Sequence, residues 1–134
     1  MNSIAPQFIV KNVLESVQFY TKKLGFDINW MHKKDPKFAI LEKDGATIMF
    51  RQLKKEGFVR PNREPFIESG WHTSAAEAWD AYIWVDQIDL LYQRFKDQDV
   101  SIIKPIQDTE YGNRDFEIED PDGYILCFGK SVDN

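Results

Sequence analysis

FAILEKDGATIMF (Phe38 to Phe50) and FEIEDPDGYILCF (Phe116 to Phe128) align without a gap, and five of the 13 pairs are identical: Phe38/Phe116, Ile40/Ile118, Asp44/Asp122, Gly45/Gly123 and Phe50/Phe128. Each window reads as a strand, an Asp-Gly turn and a second strand, because Asp-Gly between alternating apolar residues is a strong hairpin signal. Upstream, QFIVKNVLESVQFY (from Gln7) lies over YIWVDQIDLLYQRF (from Tyr82) at an offset of 75, pairing Val10/Val85, Val13/Ile88, Val17/Tyr92 and Tyr20/Phe95. Both read as a strand running into a helix. In the first copy Asn12 is the expected cap with Glu15 three residues on, and Gly25 ends the helix; in the second, Asp86 or Asp89 supplies the acidic start. Short strands follow at Phe26 to Trp30 and Val100 to Ile103. The predicted unit is βαβββ, present twice, which gives an α+β fold.

The expected organisation is one domain over residues 1–134: a first module over about 4–52, a connecting loop over about 53–78 and a second module over about 79–130. The loop carries Phe58, Phe66 and Trp71. It is either a functional segment, as long loops in compact domains often are, or a plain crossover with some helical turn in SAAEAW.

The chain has 134 residues, 43% hydrophobic and 29% charged, an ordinary composition for a globular domain that needs neither disulfides nor a structural metal. A single cysteine, Cys127, cannot form an intramolecular bridge, which points to a reducing compartment. A net charge of −5 argues against nucleic acid or an anionic membrane as partner. No apolar run reaches the ~18 residues that span a bilayer, and MNSIAPQFIV lacks the basic-then-apolar pattern of a signal peptide, so a cytoplasmic location is expected. Walker, GxGxxG, CxxC and HExxH motifs are absent. The unusual feature is an aromatic content of 14%, from Phe 10, Tyr 5 and Trp 4.

Strand alternation sorts these residues onto two faces. One parity holds Phe8, Val10, Ile48, Phe50, Ile83, Val85, Leu126 and Phe128, all apolar, and is expected under the helices. The other holds Ala5, Gln7 and Ile9; Thr47, Met49 and Arg51; Asp80, Tyr82 and Trp84; Ile125 and Cys127. This mixed face suits a wall around a small molecule.

A tandem βαβββ repeat with FIVKNVLESVQFYTKKLGF near the start and a DPDGYILCF hairpin at the end resembles the vicinal oxygen chelate superfamily, which holds glyoxalase I, extradiol dioxygenases, fosfomycin-resistance transferases and bleomycin resistance proteins. The resemblance covers nearly the whole chain. It implies paired modules curling into a half-barrel, commonly as homodimers. In metal-dependent members, His, Gln or Glu on each module's first strand and Glu or His on its last hold the ion, and those positions correspond here to Ala5, Met49, Asp80 and Cys127. Ala cannot ligate, and thioether, carboxylate and thiol make a mismatched set for hard or borderline divalent ions. No metal and no cofactor is therefore expected.

The branch that resembles this chain in lacking those ligands is the bleomycin resistance proteins, acidic dimers that sequester a cationic, aromatic glycopeptide without transforming it. The resemblance implies a metal-free binding protein with Gln7, Trp30, Met49, Trp71, Asp80, Tyr82, Trp84, Arg114 and Cys127 around its ligand, and no catalytic residue. The competing expectation is a divalent-metal lyase, isomerase or dioxygenase drawing ligands from positions such as Gln7, His72 or Asp80. A third is a metabolite sensor or accessory protein. Asp80 either holds a cationic group or sits at a solvated strand start. Arg114 either reaches the cavity or pairs with Glu117 or Glu119. Cys127 reads as a wall thiol, since no matched His stands ready to activate it.

Overall fold

A computed structural model of the chain describes residues 1–71 and 76–132. It divides into two compact units, Met1–Arg60 and Pro61–Asn134. The first runs β1 (Gln7–Val10), α1 (Val13–Lys22), β2 (Asp27–Met31), β3 (Phe38–Lys43) and β4 (Ala46–Gln52). The second opens with a short helix, α2 (Arg63–Glu68), followed by β5 (Ala81–Trp84), α3 (Ile88–Asp97), β6 (Ile102–Asp108), β7 (Asn113–Glu119) and β8 (Ile125–Ser131). Each unit has one mixed four-stranded sheet, in the orders β1-β4-β3-β2 and β5-β8-β7-β6. The predicted βαβββ repeat is present, and α1 and α3 begin and end 75 residues apart.

Local chemistry explains α1. Asn12 Oδ1 accepts from the Glu15 amide at 2.9 Å, and Gln52 Oε1, from β4, accepts from the Val13 amide at 3.1 Å, so two of the helix's orphan donors are met. Val13, Val17 and Tyr20 form its buried stripe. Tyr20 packs edge-on to Phe50, centroids 4.7 Å apart. At the start of α3 the expected acidic residue is Asp89, in the first turn. Gln87 occupies the cap position without a side-chain cap bond, and Asp89 pairs with Arg114. β6 runs on to Asp108, beyond the expected Ile103. Pro105 is accommodated because β6 is an edge strand, with irregular register between Lys104 and Gln107. Among the described residues of the connecting stretch, the helix is α2, upstream of SAAEAW, part of which lies outside the described residues.

The two hairpins differ by one residue, with large consequences. In the first, Asp44 and Gly45 take positive φ (49° and 89°) as a two-residue turn, and Lys43 pairs with Ala46. In the second, the residue in Lys43's place is Pro121, which has no N–H to donate. The closing bond moves back to Asp120, whose amide donates to Tyr124 O at 2.9 Å, and three residues make the loop. Asp120 Oδ1 holds that loop by accepting from the amides of Asp122 and Tyr124, both at 2.9 Å.

A one-residue change of register turns every side chain of a strand to the other face. Thus Ile40 lies opposite Met49, whereas its repeat partner Ile118 lies opposite Leu126 and it is Glu117 that lies opposite Cys127. Phe38 and Ile40 are on the open face of their sheet; Phe116 and Ile118 are fully buried, with Phe116 against Phe95 of α3. Packing supports the same register, since removing Phe116 and Ile118 from the core would cost about 1.5–3 kcal/mol each. Asp115 and Glu117 consequently stand on the face away from α3.

Candidate functional site

On the open face of the second unit, Asp115 and Glu117 are fully enclosed. Lys104 Nζ lies 3.2 Å from Asp115 Oδ1 and 3.7 Å from Glu117 Oε2, one ammonium against two carboxylates. Buried charges require such partners. Tyr82 Oη donates to Asp115 Oδ2 at 3.0 Å and accepts from Asn113 Nδ2 at 2.9 Å; Tyr111 Oη donates to the same Asp115 oxygen. Glu117 Oε2 accepts from the Glu77 amide at 3.0 Å and from Trp79 Nε1 at 3.1 Å. Burial pushes the Glu117 carboxyl above its ordinary range, opposed by the bonds from Trp79 and Glu77 and by Lys104. Burial above all pushes both phenols up; at Tyr82 the bond from Asn113 opposes it and the Cys127 and Asp115 charges add to it, and at Tyr111 the hydrogen bond to Asp115 and its charge add to it, so both stay protonated and donate.

In front of these acids stands a run of rings. Trp79 and Tyr82 have centroids 4.9 Å apart, Tyr82 and Trp84 4.9 Å, and Trp79 and Tyr111 6.1 Å. Trp84 is 65% exposed and Tyr111 45%, so part of the cluster faces solvent while its polar edges are bonded to buried carboxylates. Gly129 makes room for it. A Cβ there would lie 1.8 Å from Tyr82 Oη and 2.5 Å from its Cζ, so the phenol rests directly on β8. An aromatic surface backed by negative charge suits a cation, whose attraction to ring faces runs from about 0.5–1 kcal/mol when exposed to about 2 when desolvated.

Tyr82, Trp84 and Cys127 share this face, Tyr82 lying opposite Cys127 in the β5–β8 register. The Cys127 thiol is fully buried, and burial followed by the neighbouring Asp115 and Glu117 charges pushes its pKa up, so it is a protonated wall group. Gln7, Met49 and Trp30 share the open face of the first unit, with Met49 opposite both Gln7 and Ile40, and Trp30 beside Phe38 at 6.0 Å. Trp71 is 74% exposed beyond α2 and makes no ring contact among the described residues. His72 lies outside the described residues.

One expectation is corrected, at Arg114. Asp80, expected either to hold a cationic group or to sit at a solvated strand start, is half-buried just before β5. Its Oδ1 accepts from the Asn62 amide at 2.7 Å and its Oδ2 from the Ile125 amide at 2.8 Å, tying the approach to α2 onto β8, and burial raises its pKa. Arg114 reaches neither the ring face nor Glu117 or Glu119. It follows the parity of Phe116 to the helix side, where it binds Asp89 at 2.8 Å and Asp108 at 3.1 Å. Glu119 pairs instead with Arg63 at 2.6 Å. Asp115, Lys104, Trp79 and Tyr111 are not picked out by the sequence, and Glu117 enters it only as a possible partner for Arg114. The proline of DPDG is the signal that finds the acids, since it moves the register.

Of the four positions that correspond to metal ligands, Ala5 has no donor, Met49 offers a thioether, both Asp80 oxygens accept from backbone amides, and burial raises the Cys127 thiol pKa. Among the described residues, no group of three or more His, Cys, Asp or Glu side chains is arranged to hold an ion, and no helix is long and apolar enough to cross a membrane.

Comparison with known proteins agrees with the architecture. The chain is 28% identical over 130 residues to the bleomycin resistance proteins of Geobacillus stearothermophilus and of Staphylococcus aureus, covering 95% of this chain and 95% of each relative. The crystal structure of TioX from Micromonospora sp. ML1 has the same fold, with a TM-score of 0.73 over 98% of this chain and 99% of that one at 16% identity. Residues 2–128 match the family model described as Glyoxalase/Bleomycin resistance protein/Dioxygenase superfamily, and the chain belongs to that superfamily.

Proposed function

We propose that this chain is a metal-free small-molecule binding protein of the bleomycin-resistance kind, which sequesters a bulky cationic or aromatic ligand without transforming it. The observation that carries the reading is the ring cluster of Trp79, Tyr82, Trp84 and Tyr111 backed by the enclosed Asp115 and Glu117. A ligand's planar heteroaromatic part stacks on the exposed ring of Trp84, and its cationic part is drawn to faces whose polar edges donate into carboxylates. The 28% identity to bleomycin resistance proteins supports the same reading. In this proposal both modules form one domain, the working form is a cytoplasmic homodimer, and protection comes from stoichiometric capture.

The test is titration with metal-free bleomycin, read by tryptophan fluorescence and calorimetry. Saturable quenching at a fixed stoichiometry, with the ligand recovered unchanged, is the expected result. Trp84→Ala should weaken binding about tenfold or more, the loss of one stacking and cation–π partner. Absence of heat and of quenching at millimolar bleomycin defeats the proposal.

A further inference from the structure

The first unit carries a charged group of the opposite sign on its own open face. Arg51 lies on β4, an inner strand, opposite Ile9 on one side and Phe38 on the other. Its Nε donates to Gln7 Oε1 at 3.1 Å, and its guanidinium carbon stands 4.9 Å from the Phe38 ring centroid. Phe38 in turn adjoins Trp30 at 6.0 Å, and Trp30 meets His32 edge-on at 5.1 Å. Arg51 is exposed and pairs with no carboxylate among the described residues. The acids on the same face, Glu42 and its β2 partner Asp27, lie towards the other end of the sheet: Glu42 is opposite Thr47, four residues down β4, and accepts from Asn29 Nδ2 at 3.4 Å.

A guanidinium held at Nε and stacked on a ring has already given up much of its rotamer freedom, and its Nη1 and Nη2 remain as a fork for two coplanar oxygens. An arginine lying loose on the surface would not be held at both places. The rings of Phe38 and Trp30 beside it, with Ile40 and Met49 on the same face, offer a flat apolar bed.

We infer that Arg51, positioned by Gln7 and Phe38, forms a binding site for an aromatic carboxylate, whose oxygens take the guanidinium fork while its ring lies on Phe38 and Trp30. The site belongs to the first unit, so it stands or falls independently of the cation-binding face of the second. It also gives a use to Phe38, which stands on an open face although its repeat partner Phe116 is core.

The experiment is a titration of the full chain with 2-naphthoate, followed by two-dimensional NMR of the Arg51 Nε–H and the tryptophan indole N–H signals. Saturable shifts of Arg51 and Trp30 are expected, with neutral 2-naphthylmethanol binding at least about tenfold more weakly. Arg51→Gln should lose about tenfold or more in affinity for 2-naphthoate with an unchanged melting curve. Arg51→Lys should fall nearly as far, because a point charge cannot supply the fork. Gln7→Ala, which frees Nε but keeps the charge, should fall in between. Equal binding of the neutral analogue, full affinity in Arg51→Gln or Arg51→Lys, or shifts confined to Trp79 and Trp84 would each overturn the inference. So would the absence of any saturable shift.

Discussion

Replacing Gly129 with alanine tests how the aromatic face is built. The added Cβ would fall 1.8 Å from Tyr82 Oη, 2.5 Å from Cζ and 2.9 Å from Cε1, distances at which something must move. β8 cannot yield cheaply, since it is paired on both sides, with β5 and with β7. The Tyr82 ring must therefore swing off the sheet. It then gives up its bond to the Asp115 carboxylate, worth about 1.5–3 kcal/mol, and the one from Asn113, worth about 0.5–1.5. Recovery of some hydration leaves an expected loss of about 2–4 kcal/mol, or a fall in melting temperature of roughly 6–15 °C for a chain this size. Gly57→Ala is the matched control, because a Cβ there meets nothing within 4 Å. The decisive assay is a double-mutant cycle with Tyr82→Ala: without the ring, Gly129→Ala should cost little, giving a coupling of at least about 1.5 kcal/mol. A melting curve for Gly129→Ala that overlays the parent, or additive losses in the double variant, would refute the account of Tyr82 resting on β8.

Further outcomes follow from the enclosed acids. Lys104→Met removes the cation between Asp115 and Glu117 and should cost about 2–4 kcal/mol at neutral pH by denaturant unfolding. The Glu117 pKa is raised in the folded state, so the folded form gains relative stability below the ordinary carboxylate range and loses it as pH rises through the raised value. The Lys104→Met deficit should accordingly shrink as pH is lowered toward 5, and a deficit that grows on acidification contradicts the arrangement. Cys127 should be inert to a thiol reagent such as DTNB in the native protein and react stoichiometrically in denaturant; rapid native labelling would show that the thiol is not enclosed. Arg114→Ala should leave bleomycin titration unchanged, since its partners Asp89 and Asp108 lie on the helix side; a clear loss of affinity would move it back to the site.

How far the sequence carries is clearest in the hairpins. The windows at Phe38 and Phe116, with the offset of 75 upstream, were enough to read the tandem βαβββ order, the Asn12 cap and the buried stripe of α1, because these depend on periodicity and on groups within a few residues of one another. The core parity was legible in large part: Phe8, Val10, Ile48, Phe50, Leu126 and Phe128 are buried, whereas Ile83 and Val85, expected with them, are only half-buried. Tyr82, Trp84 and Cys127 were placed on the opposite face by the same alternation.

Other features needed the folded chain. The gapless repeat suggested that Ile118 stands as Ile40 does, yet Pro121 shifts the closing bond by one residue and turns the strand over, carrying Asp115 and Glu117 to the open face. Asp80 and Arg114 were ambiguous as residue types, and their partners, the amides of Asn62 and Ile125 and the carboxylates of Asp89 and Asp108, are fixed by chain segments up to 45 residues away. Sequence by itself determined the order of elements and which face of most strands is apolar, because both are written in local spacing. Only the tertiary structure decided which polar groups meet, because hydrogen bonds and ion pairs between strands depend on register, and register here turned on one missing N–H.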